Sequence, residues 1–388
     1  MIRHLFILIW NRKRQNALMI LEIFLAFLIL FAVLTFVYHS MSRYSKPLGF
    51  DTEDIWIAMI NVPRGTDSLS IVSTKEQLKQ AITSFPEIQA ASFSNSVTPF
   101  GGSVWSTSSD DNGFELSTNM VRADEDYDDL YNLNLIEGKW PTKADYEGKY
   151  DPIVVSKKLK ETYFKDTSII GRVLVINGEK QVLGVVDHFK YRGEFEEEDN
   201  MTFFSLPIHS IDGTTLQMRI KPGTSPEFEE TVNQTIKRIA KDWDFVITNL
   251  ENRRIRQSRE TWIPIVALLS ICGFLVINVA LGLFGILLYN IRKRRSEIGL
   301  RRAVGASPAG IISQFMLEIL ILSTLGIIAG LFFAAQLPIM KLFEVANPIY
   351  LWAMLSSAGV IYTLVILCTL YPSSQASMIH PAVALHEE

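Results

Sequence analysis

Four runs of predominantly apolar residues, each long enough to cross a bilayer as a helix, constrain this chain more than any other feature; they fall at about 17–38, 263–289, 311–336 and 349–370. The hydrocarbon core of a bilayer is about 30 Å thick and offers no partner for backbone N–H and C=O groups, so a segment that crosses it alone must be a helix of about 20 residues. The chain is 48% hydrophobic, and that excess is confined to its two ends. From 40 to 261 the composition is that of an ordinary polar globular domain. The expected fold is a membrane protein of four transmembrane α-helices with a large α+β extracytoplasmic domain between helices 1 and 2. The first run is too long for a cleavable signal and no small-x-small site follows Tyr38-His39-Ser40, so it reads as an anchor.

Basic residues beside a span favour the cytoplasmic side. Arg3, Arg12, Lys13 and Arg14 precede the first run, and Arg292, Lys293, Arg294, Arg295, Arg301 and Arg302 lie between the second and third. Both regions are therefore expected in the cytoplasm, together with both termini. The loop between the third and fourth runs carries only Lys341. Arg253, Arg254, Arg256 and Arg259 pull the other way, but they end a large translocated domain and read as a solvated helical stalk. The expected division is a cytoplasmic segment 1–16, a span 17–38, an extracytoplasmic domain 39–261 with a β-rich insertion at about 103–208, and a span 262–290. A cytoplasmic loop 291–310, a span 311–336, an outside loop 337–348, a span 349–370 and a cytoplasmic tail 371–388 complete it.

Polar groups within the spans are few. Glu22 and Glu318 lie near the cytoplasmic ends and are expected to snorkel or to pair with a basic flank, and Asn278 to bond to a neighbouring helix. Gly273, Gly282, Gly285, Gly326 and Gly330 permit close helix approach, which fits a packed bundle or dimer better than a wide pore. Cys272 and Cys368 both sit in apolar segments and read as small hydrophobes, with no disulfide framework or metal-ligand spacing.

In the soluble stretch, residues 55–62, 88–93, 215–220 and 245–250 are strand-like. Helical patterns occupy 74–85, with Leu78, Ile82 and Phe85 on one face, and 225–243, with Phe228, Val232, Ile236 and Ile239 on one face. Ser225 is the expected N-cap of the latter and Pro226 its first residue. This makes two β-α-β units bracketing a mostly β insertion. Within it, Asn177-Gly178 between alternating apolar residues predicts a hairpin over 173–186, and a short helix over 157–164 follows a strand at 152–155. The acidic stretches 124–129 and 194–199 lack the glycine and spacing of a calcium loop and read as solvated loops.

Several chemistries are excluded by what the sequence lacks. It contains no G-x-x-x-x-G-K-[ST], no H-E-x-x-H and no G-x-S-x-G, and its six histidines are scattered, so no enzyme, metal or cofactor site of those kinds is expected. A net charge of −4 with no long basic run interleaved with aromatics gives no support to nucleic-acid binding.

The loop between the second and third spans reads Arg292-Lys-Arg-Arg-Ser-Glu-Ile-Gly-Leu-Arg-Arg-Ala-Val-Gly-Ala-Ser307. As physics it is a basic anchor, a short amphipathic stretch with Ile298, Leu300 and Val304 among charges, and a restart of helix at Ser307-Pro308. The order of residues, Glu297-Ile298-Gly299, Leu300-Arg301-Arg302-Ala303, then Gly305-Ala306-Ser307, closely resembles the loop of the FtsX-like, or MacB-type, ABC transporter permeases. A second likeness is C-terminal, in Tyr371-Pro372 and in Pro381, Ala384 and Leu385. A third, weaker one lies in Glu137-Gly138-Lys139-Trp140, Val154-Val155-Ser156 and Gly184-Val185-Val186. The segment 373–378 departs from the family in carrying no arginine, which leaves an electrostatic role for the tail without a basis.

The resemblance covers the whole chain and implies a permease of the bacterial inner membrane that transmits nucleotide-driven motion to its outer domain. The implied partners are an ABC ATPase subunit holding ATP and Mg, a second permease copy or paralogue in a dimer, membrane lipid, and a periplasmic adaptor or outer-membrane component. Glu297 to Ser307 would seat in the ATPase, with Ile298 and Leu300 as apolar anchors and Arg301 and Arg302 as charged partners. The implied task is export or extraction of a peptide, drug or lipoprotein. Two alternatives stand beside it: a non-transporting transducer that regulates a cell-wall hydrolase or senses antibiotics, and a membrane-anchored receptor without an ATPase, for which a single anchor would suffice.

Overall fold

The computed structural model describes residues 13–110, 115–165, 167–208, 210–211, 213–340 and 345–378. The chain divides into two compact units, Met1–Ser42 with Trp262–Glu388, and Arg43–Thr261. Among the described residues, four helices are long and apolar enough to cross a membrane. They span Lys13–Tyr44, Leu250–Lys293, Pro308–Ala334 and Asn347–Ser377, and are called here the first to fourth spanning helices. The second exceeds its apolar run because the arginine-rich stretch before it is helical too. The fourth continues past Tyr371-Pro372 to Ser377; the buried Ser373 hydroxyl bonds back to the Thr369 carbonyl at 2.6 Å.

In the membrane unit the small residues set the close contacts. A Cβ on Gly326 of the third helix would lie 3.0 Å from the Ile20 carbonyl oxygen of the first, and one on Gly330 would strike the Phe27 ring. A Cβ on Gly282 of the second helix would come within 2.5 Å of the Glu22 carboxylate. Hydroxyls tie the fourth helix to the first and the third: Tyr38 to Ser356 at 2.7 Å and Thr324 to Tyr362 at 3.0 Å. Asn278 departs from expectation. Within this chain its amide donates to the Phe274 carbonyl of its own helix at 2.8 Å, and its side chain is exposed. Cys272 is buried, and Cys368 is half-buried.

The soluble unit is one mixed sheet of β1 (Ile55–Asn61), β2 (Ile88–Ser94), β3 (Ser106–Asp110), β4 (Glu115–Ala123), β5 (Leu135–Gly138), β6 (Asp151–Ser156), β7 (Val173–Val175), β8 (Glu179–Val186), β9 (Met201–Ser205), β10 (Thr215–Ile220) and β11 (Asp244–Asn249). The order is β11-β1-β10-β2-β4-β9-β6-β8-β5, with β3 on β4 and β7 on β8. The two outer β-α-β units are therefore interleaved: β10 lies between β1 and β2, and β1 between β11 and β10, all antiparallel. This is a split β-α-β arrangement. The insertion supplies β3 to β9 and contains the hairpin expected at Asn177-Gly178, whose φ angles are 52° and 95°. Left-handed angles at both residues suit Asn-Gly and no β-branched pair.

Alternation along the strands sorts the core. One face of β1, β2 and β10 sends Ala58, Ala91, Phe93, Leu216 and Met218 against Leu78 and Ile82 of the Ser68–Thr83 helix and Phe228, Val232 and Ile236 of the Phe228–Ile239 helix. The other face sends Ile55 and Ile57 into an aromatic cluster with Phe50, Tyr127, Tyr131, Phe189 and Phe203. Each fully buried Leu, Ile, Val, Met or Phe among them contributes about 1.5–3 kcal/mol relative to exposure. A polar seam crosses this second core: the Tyr131 hydroxyl bonds Gln217, whose amide donates to Ser94 at 2.5 Å.

Several local expectations are corrected. The first helix begins at Ser68 rather than 74, because Asp67 caps it by accepting from the Ser70 N–H at 2.9 Å, ahead of any apolar periodicity. The second begins at Phe228, with Glu227 at the cap; Ser225 and Pro226 form the turn before it, and the Ser225 hydroxyl accepts only a long 3.4 Å bond from the Glu227 N–H.

The acidic stretch at 124–129 is not a solvated loop. Asp124 is fully buried and accepts from Lys79 Nζ at 2.7 Å, the Ser92 hydroxyl at 2.6 Å and the Phe93 N–H at 2.8 Å. Nor is 194–199 free of partners, since Glu194 pairs with Arg254, Glu197 with Arg43, and Asp199 with Arg192. Arg253 and Arg254 likewise leave the expected solvated stalk: Arg253 donates to Thr98 and Thr248, each at 2.9 Å.

Candidate coupling site

The loop after the second spanning helix is itself helical. Arg294 breaks that helix, with φ −102° and ψ 14°, and a new helix runs Arg295–Ala303. It closes by a Schellman pattern in which the Ala306 N–H donates to the Arg301 carbonyl at 2.9 Å and the Gly305 N–H to the Arg302 carbonyl at 3.1 Å. Gly305 takes φ +100°, a conformation that costs a side-chain-bearing residue about 1 kcal/mol or more and costs glycine nothing. Ser307 then caps the third spanning helix by accepting from the Gly310 N–H at 3.1 Å, with Pro308 in the first turn.

The short helix is fastened to the third spanning helix along one side. Arg294 and Glu318 form a two-pronged pair at 2.8 and 3.0 Å, and the Arg294 guanidinium lies 5.8 Å from the Phe315 ring centre. Glu318 thus takes the basic-flank partner expected of it. Arg301 donates to Gln314 at 2.7 Å and to Glu297 at 2.5 Å, and Arg302 to the Ala306 carbonyl at 3.2 Å. Ile298 is only 4% exposed and belongs to the same apolar cluster as Ile311, Phe315 and Ile319. It therefore cannot be one of two outward anchors beside Leu300. The outward residues are Leu300, 55% exposed, and Val304, 82% exposed, in line with exposed Ser296 at a spacing of four. Gly299 is buried, while Ala303, Gly305 and Ser307 are exposed and Ala306 is half-buried.

Tyr371 is exposed and stacks on Phe284 of the second spanning helix at 6.0 Å, and Pro372 is buried within the fourth. Pro381, Ala384 and Leu385 lie outside the described residues, as do Arg3, Arg12 and Lys341. The sequence marks Arg294 only as one of six basic residues in the loop, and gives no sign of Gln314. Glu318 pointed to that flank, since a carboxylate in an apolar helix calls for a nearby cation, but not to which arginine would meet it.

Four spanning helices, an α+β domain after the first of them, and a short amphipathic helix between the second and third make this a multi-pass membrane protein. The FtsX-like permease C-terminal family matches residues 269–381, and the MacB-like periplasmic core domain matches residues 17–235, more than half of the chain. The chain belongs to the FtsX-like, MacB-type family of ABC transporter permeases. Among curated relatives, the macrolide export ATP-binding/permease protein MacB of Aggregatibacter actinomycetemcomitans is 26% identical over 224 residues, covering 55% of this chain and 34% of that protein. The pyoverdine export ATP-binding/permease protein PvdT of Pseudomonas fluorescens is 25% identical, covering 68% of this chain and 42% of that one. The ABC transporter permease YknZ of Bacillus subtilis is 22% identical, covering 56% of each. The chain thus matches between about a third and somewhat over half the length of these relatives. Among solved structures, the periplasmic region of MacB from Actinobacillus actinomycetemcomitans aligns with a TM-score of 0.40 at 14% identity, over 56% of this chain and 98% of that one.

Proposed function

We propose that this chain is the permease subunit of an ABC complex, coupling ATP hydrolysis by a separate ATPase subunit to movement of its soluble domain and so exporting or extracting a peptide, drug or lipoprotein. The carrying observation is the Arg295–Ala303 helix. It is held to its own membrane unit through Arg294, Ile298 and Arg301, yet it leaves Leu300 and Val304 in the open. A rigidly held helix with an uncovered apolar strip has the form of a helix-in-groove ligand. Glu297, Arg301, Arg302, Ala303, Gly305, Ala306 and Ser307 frame that strip. In this reading Leu300 and Val304 enter the ATPase, Ile298 holds the helix in place, and ATP with its Mg stays in the partner.

Family membership supports the assembly: two permease copies, or one and a paralogue, with two ATPase subunits in the bacterial inner membrane. The basic loop supports a cytoplasmic position for this helix and both termini, with the α+β domain outside. Relatives bear the names of macrolide and pyoverdine exporters, which supports export as the task. The test is ATP turnover by the ABC ATPase that co-purifies with this chain, with and without the chain in lipid nanodiscs. Turnover that responds to the chain, and ceases to respond with Leu300→Asp, is the expected result. Turnover indifferent to the chain would refute the proposal.

A further inference from the structure

The first spanning helix ends at Arg43 and Tyr44, and the second begins at Leu250. One short loop after β8 touches both ends. Lys190, 2% exposed, donates from Nζ to the Arg43 carbonyl at 2.9 Å and to the Glu194 carbonyl at 2.6 Å. The last carbonyls of a helix lack intrahelical donors and form the negative end of its dipole, so a buried ammonium is well matched there. Glu197 adds an ion pair to Arg43 at 3.1 Å, and the Phe195 ring stacks on Tyr44 at 5.1 Å.

On its other side the same loop grips the second helix. Glu194, whose side chain is 11% exposed, accepts from Arg254 Nε at 3.0 Å and Nη2 at 2.6 Å, and from the Ser258 hydroxyl at 2.7 Å. The loop is closed on itself by Glu198, which bonds His188 at 2.9 Å and the Phe189 N–H at 3.2 Å. Phe189 roots it in the aromatic core.

We propose that residues 188–198 are a strap that fixes the end of the first spanning helix to the start of the second, with Lys190 and Glu194 as its two positioning residues. Neither helix end can then shift without carrying the strap, and through Phe189 and β8 the β-rich insertion. Delivery of ATPase-driven motion through this strap rests on the permease reading above; the strap itself does not.

The test uses the full chain in nanodiscs, free of native cysteines, with spin labels at exposed Lys46 and Ile255. Wild type is expected to give one narrow label distance. Lys190→Met and Glu194→Gln should each lose it in favour of a broad distribution while the domain still unfolds cooperatively. If the variants only lower the melting temperature and the distance stays narrow below it, the two residues merely stabilise the fold and the strap is refuted. A second arm adds the co-purifying ATPase: broad distances with an unchanged turnover response would leave the strap standing and remove its role in transmission. A wild-type chain that elicits no response would count against the permease reading alone.

Discussion

Arg294 and Glu318 meet through two parallel bonds, Nη1 to Oε2 at 2.8 Å and Nη2 to Oε1 at 3.0 Å, and neither side chain is as much as a tenth exposed. Arg294 is the residue at which the second spanning helix stops, and Glu318 lies three turns into the third, so the pair joins the start of the loop helix to a neighbouring span. Removing one partner of a buried pair leaves an uncompensated charge and costs about 3–5 kcal/mol. Glu318→Gln and Arg294→Met should each lower the thermal midpoint in detergent micelles, and the double variant Arg294→Met/Glu318→Met should recover most of the loss. Single variants as stable as wild type would show that the pair holds nothing.

Ile298 and Leu300 are two residues apart and are expected to fail in opposite ways. Ile298→Ala removes atoms from a closed cluster and should cost about 2–5 kcal/mol of stability. Leu300→Asp changes an exposed site and should leave the melting curve within about 0.5 kcal/mol of wild type. Differential scanning fluorimetry of the two purified variants separates these outcomes.

In the soluble unit, Lys79 carries the Ser68–Thr83 helix onto Asp124, with Asp126 at 2.6 Å and Glu125 at 3.6 Å from the same amine. Lys79→Met strands a carboxylate that has no exposed surface. The expected loss is about 3–5 kcal/mol, read as a lower denaturant midpoint with an unchanged slope.

Burial, helped by Asp129 and Asp126, raises the Asp128 carboxyl from 3.8 to about 6. The unfolded chain releases this proton first, so the contribution to stability is fully present below pH 3.8 and is lost as pH rises through about 6. Relative to wild type, Asp128→Asn should therefore lose least stability near pH 7 and most near pH 4. Thermal midpoints of the pair across that range measure it, and a difference independent of pH would contradict it.

The parts of the fold legible in the sequence are those fixed by local chemistry. Long apolar runs leave no alternative to spanning helices, Asn177-Gly178 supplies the two left-handed angles of a hairpin, and Ser307-Pro308 announces a helix start. What was illegible depends on residues far apart. Asp124 looked like part of a solvated run because its cation lies 45 residues away, and the interleaving of β1 and β10 joins strands more than 150 residues apart.

The Arg295–Ala303 helix shows the same divide. Its ends could be read from Gly305 and Ser307, but nine residues are too few for periodicity to say whether Ile298 or Leu300 faces inward. Phe315 and Glu318 on another helix decide it. The arginines of the stalk misled for a related reason, since charge pattern alone gives no sign that Glu194 waits for Arg254.

The central claim is that the outward face of the Arg295–Ala303 helix docks onto an ATPase. It is tested most directly by a photo-crosslinking residue placed at Leu300, at Val304 and at Ile298 in the full chain co-expressed with the co-purifying ATPase. Crosslinks to the ATPase from positions 300 and 304, and none from 298, are the predicted result. A chain that co-purifies with the ATPase but crosslinks to it from neither 300 nor 304 would contradict the claim.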